Sequence, residues 1–181
     1  LATRVKELPR EDFFGYEPIA VRVDEDFHNS PGFRFNEWEL KGVPVRVEIG
    51  PKDVAQNACV LARRDMPGKE GKQMGIPLDA APGKIVALLK EIQAGLFAKA
   101  KAFRDANMHE VNGWDEFQKK IEEPGGFLLA HWDGTRETED RISELTKATI
   151  RCIPNGGDTT PGKCVLTGNP STRRVVFAKA Y

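Results

Sequence analysis

The sequence predicts an α/β fold in two parts: a mixed strand-and-helix layer, then a smaller α+β unit. Three observations carry this. Strand-like and helix-like patterns alternate up to Pro82. A long stripe (Ile85, Leu88, Leu89, Ile92, Leu96, Ala100, Phe103) then keeps helical spacing over many turns. Beyond Asn107 the segments become shorter and the loops richer in Gly and Pro. The parts are accordingly 1–107 and 108–181, with the boundary near 107–113.

Residues 1–8 read as the tail of a helix ended by Pro9. Residues 19–23 (IAVRV) alternate and read as a strand. Ser30 is placed to cap a helix with Pro31 at its first position, and Gly42 stops it after Leu40. Residues 43–49 alternate again, with Val43, Val45, Val47 and Ile49 on one face and Arg46 and Glu48 on the other. Gly50-Pro51 breaks that strand, and 52–57 is a turn of helix. Residues 58–63 form a strand, 66–71 a hairpin loop, and 73–78 its return. After the long helix come a helix at 114–121, a strand at 126–132, a helix at 135–146 and a strand at 148–153. A Gly/Pro/Thr-rich loop at 155–162 and a last strand at 175–178 complete the chain.

With 181 residues, 40% hydrophobic and 30% charged, the chain has the composition of a globular protein with room for two small cores. Lys+Arg and Asp+Glu both number 27, so contact with a nucleic acid must come from a local patch and not from a global positive field. No apolar run reaches the roughly 20 residues that span a bilayer. The charged opening LATRVKELPRED has no signal-peptide core, so a cytoplasmic location without membrane attachment is expected. Cys59, Cys152 and Cys164 are few and scattered, which favours reduced thiols over a disulfide framework; Cys152 is expected to be buried in its strand.

Residues 29–53 (NSPGFRFNEWELKGVPVRVEIGPKD) closely resemble the anticodon-binding domain of class II prolyl-tRNA synthetases of the archaeal/eukaryotic-like type. The far end agrees independently. FLLAHW at 127–132, TKATIRCIP at 146–154, GKCV at 162–165 and RVVFAKAY at 174–181 resemble the C-terminal domain of the same family. The resemblance implies a mixed-sheet anticodon-binding domain followed by the small α+β domain. It also implies that the chain begins shortly before the second strand, leaving out the first strand and part of the first helix.

The implied function is recognition of tRNA(Pro) within a ligase that attaches proline to tRNA through prolyl-adenylate. Its catalytic domain, with ATP and Mg²⁺, lies outside these residues, and the full enzyme is expected to be a homodimer. The alternative is a non-catalytic RNA-binding accessory module. Proline anticodons share two guanines, and a guanine offers donors to a carboxylate and O6/N7 acceptors to an arginine. The resemblance assigns these roles to Glu39 and Arg46, with Lys69 as a third contact in the loop after the next strand. Taken as residues alone, Arg46 and Glu48 read as a solvated strand face. Phe33 and Phe35 are expected to pack in the core, with base stacking as the alternative; Trp38 is expected to anchor its helix to the sheet.

Many relatives hold zinc in the C-terminal domain with four cysteines. Here the corresponding positions are Asp133, Thr138, Cys164 and Thr167. Hydroxyls are poor zinc ligands, so no bound zinc is expected. A Cys164–His131 nucleophile pair is a further arrangement to look for, although no motif orients it. The resemblance also implies that the chain-terminal Tyr181 docks toward the catalytic domain.

Overall fold

The computed structural model describes residues 1–12 and 15–179, including side chains except at 9–12 and 15–18. It divides into two compact units, Leu1–Ala98 and Lys99–Tyr181. The sequence-based boundary falls just after the end of a continuous helix that runs through this division.

In the first unit, α1 (Ala2–Lys6) leads to a hairpin of β1 (Pro9–Asp12) and β2 (Gly15–Pro18) that the sequence pattern did not reveal. Helix α2 (Pro31–Leu40) starts where expected, Ser30 Oγ accepting from Phe33 N at 3.4 Å. A three-stranded antiparallel sheet follows, ordered β3 (Val45–Glu48), β4 (Ala58–Arg63), β5 (Lys72–Pro77), with α3 (Pro51–Ala55) between the first two. Central β4 is buried along nearly its whole length, as a strand with a neighbour on each side should be.

The long helix α4 (Ala81–Ala106) buries Ala81, Pro82, Ile85, Leu88 and Ile92. Ile85 and Leu88 pack in a core with Val5, Ile19, Cys59 and Leu61. The apolar stripe, however, is buried only in its first half: Leu96, Phe97 and Phe103 are exposed. Length explains this. A 26-residue helix is about 39 Å long, whereas strands of four to six residues span at most about 20 Å.

Residues 19–23 do not form a strand. Ile19 is buried and Val21 packs against the same core, so the alternation correctly reports a half-buried extended segment. Alternation records which side chains are covered, while a strand also requires a ladder partner for its N–H and C=O groups.

The second unit is built on a four-stranded sheet ordered β6 (Met108–Glu110), β7 (Phe127–His131), β11 (Arg174–Lys179), β8 (Ala148–Cys152). β6 runs parallel to β7, and β11 is antiparallel to both of its neighbours. β6 falls in the stretch read from the sequence as a boundary; three residues are too few to display a period. Helices α5 (Trp114–Glu122) and α6 (Arg136–Thr146) cover the sheet through Phe117, Ile121 and Ile142. A short hairpin, β9 (Gly162–Lys163) with β10 (Pro170–Ser171), closes the loop region. Cys152 is exposed rather than buried: it ends the edge strand β8, where a register shift at Val176/Phe177 interrupts the pairing.

Candidate nucleic-acid interface

The site begins with a row across the first sheet. Arg46 of β3 pairs in register with Ala62 of β4, which pairs with Lys72 of β5. The small central residue leaves room for two long cationic side chains to come together above it. Glu48, two residues along β3, lies on the same face as Arg46. Its Oε1 accepts from Arg46 Nε (3.0 Å) and Nη2 (2.9 Å), while its Oε2 accepts from Lys72 Nζ (2.9 Å).

Helix α2 supplies the other wall. Residues 35 and 39 are four apart and so share a helix face. Glu39 Oε1 accepts from Arg46 Nη1 at 2.6 Å, and the Phe35 ring lies 4.0 Å beneath the Arg46 guanidinium carbon. Arg64 donates from Nε to the Glu39 carbonyl at 2.7 Å, and its own N–H bonds the Pro44 carbonyl. These bonds tie the end of α2 to the sheet. A second carboxylate orients the start of the helix: Asp24 accepts from Arg34 Nε (2.8 Å) and Trp38 Nε1 (3.0 Å). The Arg34 guanidinium beside Asp24, helped by the Asp26 N–H and the Trp38 indole, holds its carboxyl well below the usual range.

The residues expected to read the RNA are thus distributed as follows. Glu39 and Arg46 are in contact. Lys69 is exposed in the turn, with its carbonyl accepting from Lys72 N, and Lys72 is the lysine that joins the cluster. Phe33 is exposed and Phe35 lies under Arg46, so neither packs in the core. Trp38 ties α2 to the segment before it through Asp24. Helix α2 faces β3 through charged groups and buries no residue completely. The spacing of Glu48 and Lys72 is visible in the sequence, but their meeting depends on the β3–β4–β5 register.

Both parts of the chain resemble known proteins. Residues 5–88 match the family described as "Anticodon binding domain", and residues 114–181 the one described as "Prolyl-tRNA synthetase, C-terminal". Most of the chain is similar to proteins named "Proline--tRNA ligase". It is 53% identical over 163 residues to a protein named "Proline--tRNA ligase" from Chloroflexus aggregans, covering 90% of this chain and 33% of that relative. Relatives of the same name from Porphyromonas gingivalis and Roseiflexus castenholzii are 50% and 47% identical over 90% of the chain. The chain spans about a third of the length of these curated relatives.

Of the four positions that the resemblance relates to zinc ligands, three, Asp133, Thr138 and Thr167, are joined by hydrogen bonds. Asp133 Oδ2 accepts from Thr167 Oγ1 (2.8 Å), Thr138 Oγ1 (3.0 Å) and Asn169 Nδ2 (3.4 Å), and Oδ1 from Thr135 Oγ1 (3.0 Å). Burial pushes the Asp133 carboxyl up, but the bonds from Thr167, Thr138 and Thr135 outweigh it and hold the carboxyl below its ordinary value. Among the described residues, no cluster of three or more His, Cys, Asp or Glu side chains is gathered. One carboxylate, one thiol and two hydroxyls, with the hydroxyl hydrogens already aimed at the carboxylate, do not fit a tetrahedral zinc.

His131 is likewise engaged in structure. The Ser171 hydroxyl donates its proton to the Trp132 or Arg173 carbonyl (2.7 and 2.9 Å), so at 3.1 Å it accepts from His131 Nδ1. The Nε2 edge of the imidazole abuts Gly162, where an added Cβ would come within 2.3 Å of it. This leaves the imidazole no free edge for Cys164. Tyr181 lies outside the described residues. No helix among the described residues is long and apolar enough to cross a membrane.

Proposed function

We propose that this chain reads the anticodon of tRNA(Pro) for a proline–tRNA ligase whose catalytic domain binds ATP and Mg²⁺. The observation that carries the reading is the Glu39–Arg46 contact at 2.6 Å over the Phe35 ring. A splayed-out guanine entering here finds a carboxylate for its N1–H and N2–H₂ donors and, for O6/N7, a guanidinium backed by the Phe35 ring. Lys72 supplies the second cation, a role the family resemblance gave to Lys69. Identity near 50% to proteins named proline–tRNA ligase supports the substrate class. A cytoplasmic, homodimeric parent enzyme follows from the same reading, as does a C-terminal domain that folds without zinc.

The test is binding of this chain to an RNA hairpin carrying a proline anticodon, compared with hairpins in which each guanine is replaced by adenine. Glu39→Ala or Arg46→Ala should each remove about 1–3 kcal/mol of guanine discrimination. Unchanged discrimination in both variants would remove the assignment.

A further inference from the structure

We infer that Glu48 is a positioning residue that decides which edge of Arg46 is presented to the anticodon. The inference rests on the proposed anticodon-reading role of Arg46. A guanidinium has two hydrogen-bonding edges in reach of a ligand, Nε/Nη2 and Nη1/Nη2, and two faces. Glu48 Oε1 takes both Nε and Nη2, closing the first edge, and Phe35 covers one face. The remaining edge carries Nη1, held by Glu39.

Exposure separates the two carboxylates. The Glu48 side chain is 20% exposed and bridges Arg46 to Lys72, whereas Glu39 is 44% exposed. Glu39 is therefore the partner that an incoming base can displace, and Glu48 is the one that stays. When the Glu39–Arg46 pair opens, both members are satisfied only by a base that presents donors to one and acceptors to the other. Adenine presents a donor at N6 where guanine has its O6 acceptor. Freed from Glu48, an arginine side chain regains rotamer freedom and can turn either edge to a phosphate, which carries no sequence information. Glu48 thus contributes selectivity, and the negative charge it adds opposes indiscriminate RNA binding.

The experiment is a double-mutant cycle with Glu48→Gln and Arg46→Ala, using the guanine hairpin and its adenine-substituted counterpart as probes. Glu48→Gln is expected to lower the guanine/adenine affinity ratio about tenfold, the size of one charge-assisted contact. Binding of the adenine hairpin should stay the same or tighten. In the Arg46→Ala background the same substitution should leave the ratio unchanged, because there is no guanidinium left to orient. Full discrimination in Glu48→Gln, or an equal loss in both backgrounds, overturns the positioning role. If Arg46→Ala alone leaves the ratio intact, the anticodon-reading role of Arg46 itself fails, a result distinguishable from failure of Glu48. Thermal unfolding of each variant identifies any loss caused by misfolding, and Glu48→Asp, which keeps the charge, supplies the rescue arm with a partly recovered ratio.

Discussion

Asp133 and Thr167, 34 positions apart, are joined by a 2.8 Å hydrogen bond. The same carboxylate holds Thr135 and Thr138 at the start of α6. A single acceptor therefore gathers the segments that four thiolates would gather around zinc. Zinc would bind them through metal–sulfur bonds; here hydrogen bonds between a partly buried carboxylate and hydroxyls hold them.

The first prediction follows. Chelator treatment should leave the thermal unfolding of the second unit unchanged, and metal analysis should find no stoichiometric zinc. Asp133→Ala should destabilise that unit by about 1–3 kcal/mol, the cost of leaving inward-facing hydroxyls without an acceptor. Stoichiometric zinc, or unfolding driven by the chelator, would contradict this account.

The second prediction concerns acid. Asp24 has a folded-state pKa held below the ordinary aspartate value of 3.8, chiefly by Arg34. A depressed carboxylate contributes stability above its unfolded value and loses it as pH falls through the folded value. Docking of α2 should therefore hold at neutral pH and weaken only in strong acid, below the ordinary aspartate range. Trp38 donates to the same carboxylate, so its fluorescence reports the event. Asp24→Asn should abolish this low-pH transition while the signals of Trp114 and Trp132 remain.

The third prediction concerns Arg174, which is 8% exposed. It donates to Asp158 (3.1 Å), to Asn112 Oδ1 (2.6 Å) and to the Val111 and Leu129 carbonyls, and it pairs with Glu110 (2.9 Å). Arg174→Met keeps the apolar stem and removes the donors. The expected cost is about 1–3 kcal/mol, that of leaving the Val111 and Leu129 carbonyls without their donor, since both carboxylate partners are exposed. Urea unfolding followed by Trp114 and Trp132 measures it, and a loss under 1 kcal/mol would mean that water replaces these bonds.

Much of this was legible from residue types. Ser30-Pro31 marks the start of α2 because capping is local chemistry, and the Val43–Ile49 alternation marks β3 because side-chain period is local geometry. The β1–β2 hairpin and β6 were not legible, being too short for periodicity. The exposure of Phe33 and the half-covered stripe of α4 were misread because hydrophobicity predicts burial only where a partner surface is long enough to cover it.

By itself, the sequence determined where α2 starts, that β3 alternates, that Glu39 and Arg46 lie close along the chain, and that 133, 138 and 167 carry a carboxylate and two hydroxyls. Each of these depends on residue identity at short spacing. Only the tertiary structure decided that Glu48 bridges Arg46 and Lys72, and that Asp133 gathers the hydroxyls of Thr135, Thr138 and Thr167. Those relationships arise from strand register and from contacts between segments far apart in the chain. Neither is encoded in the period or composition of any one segment.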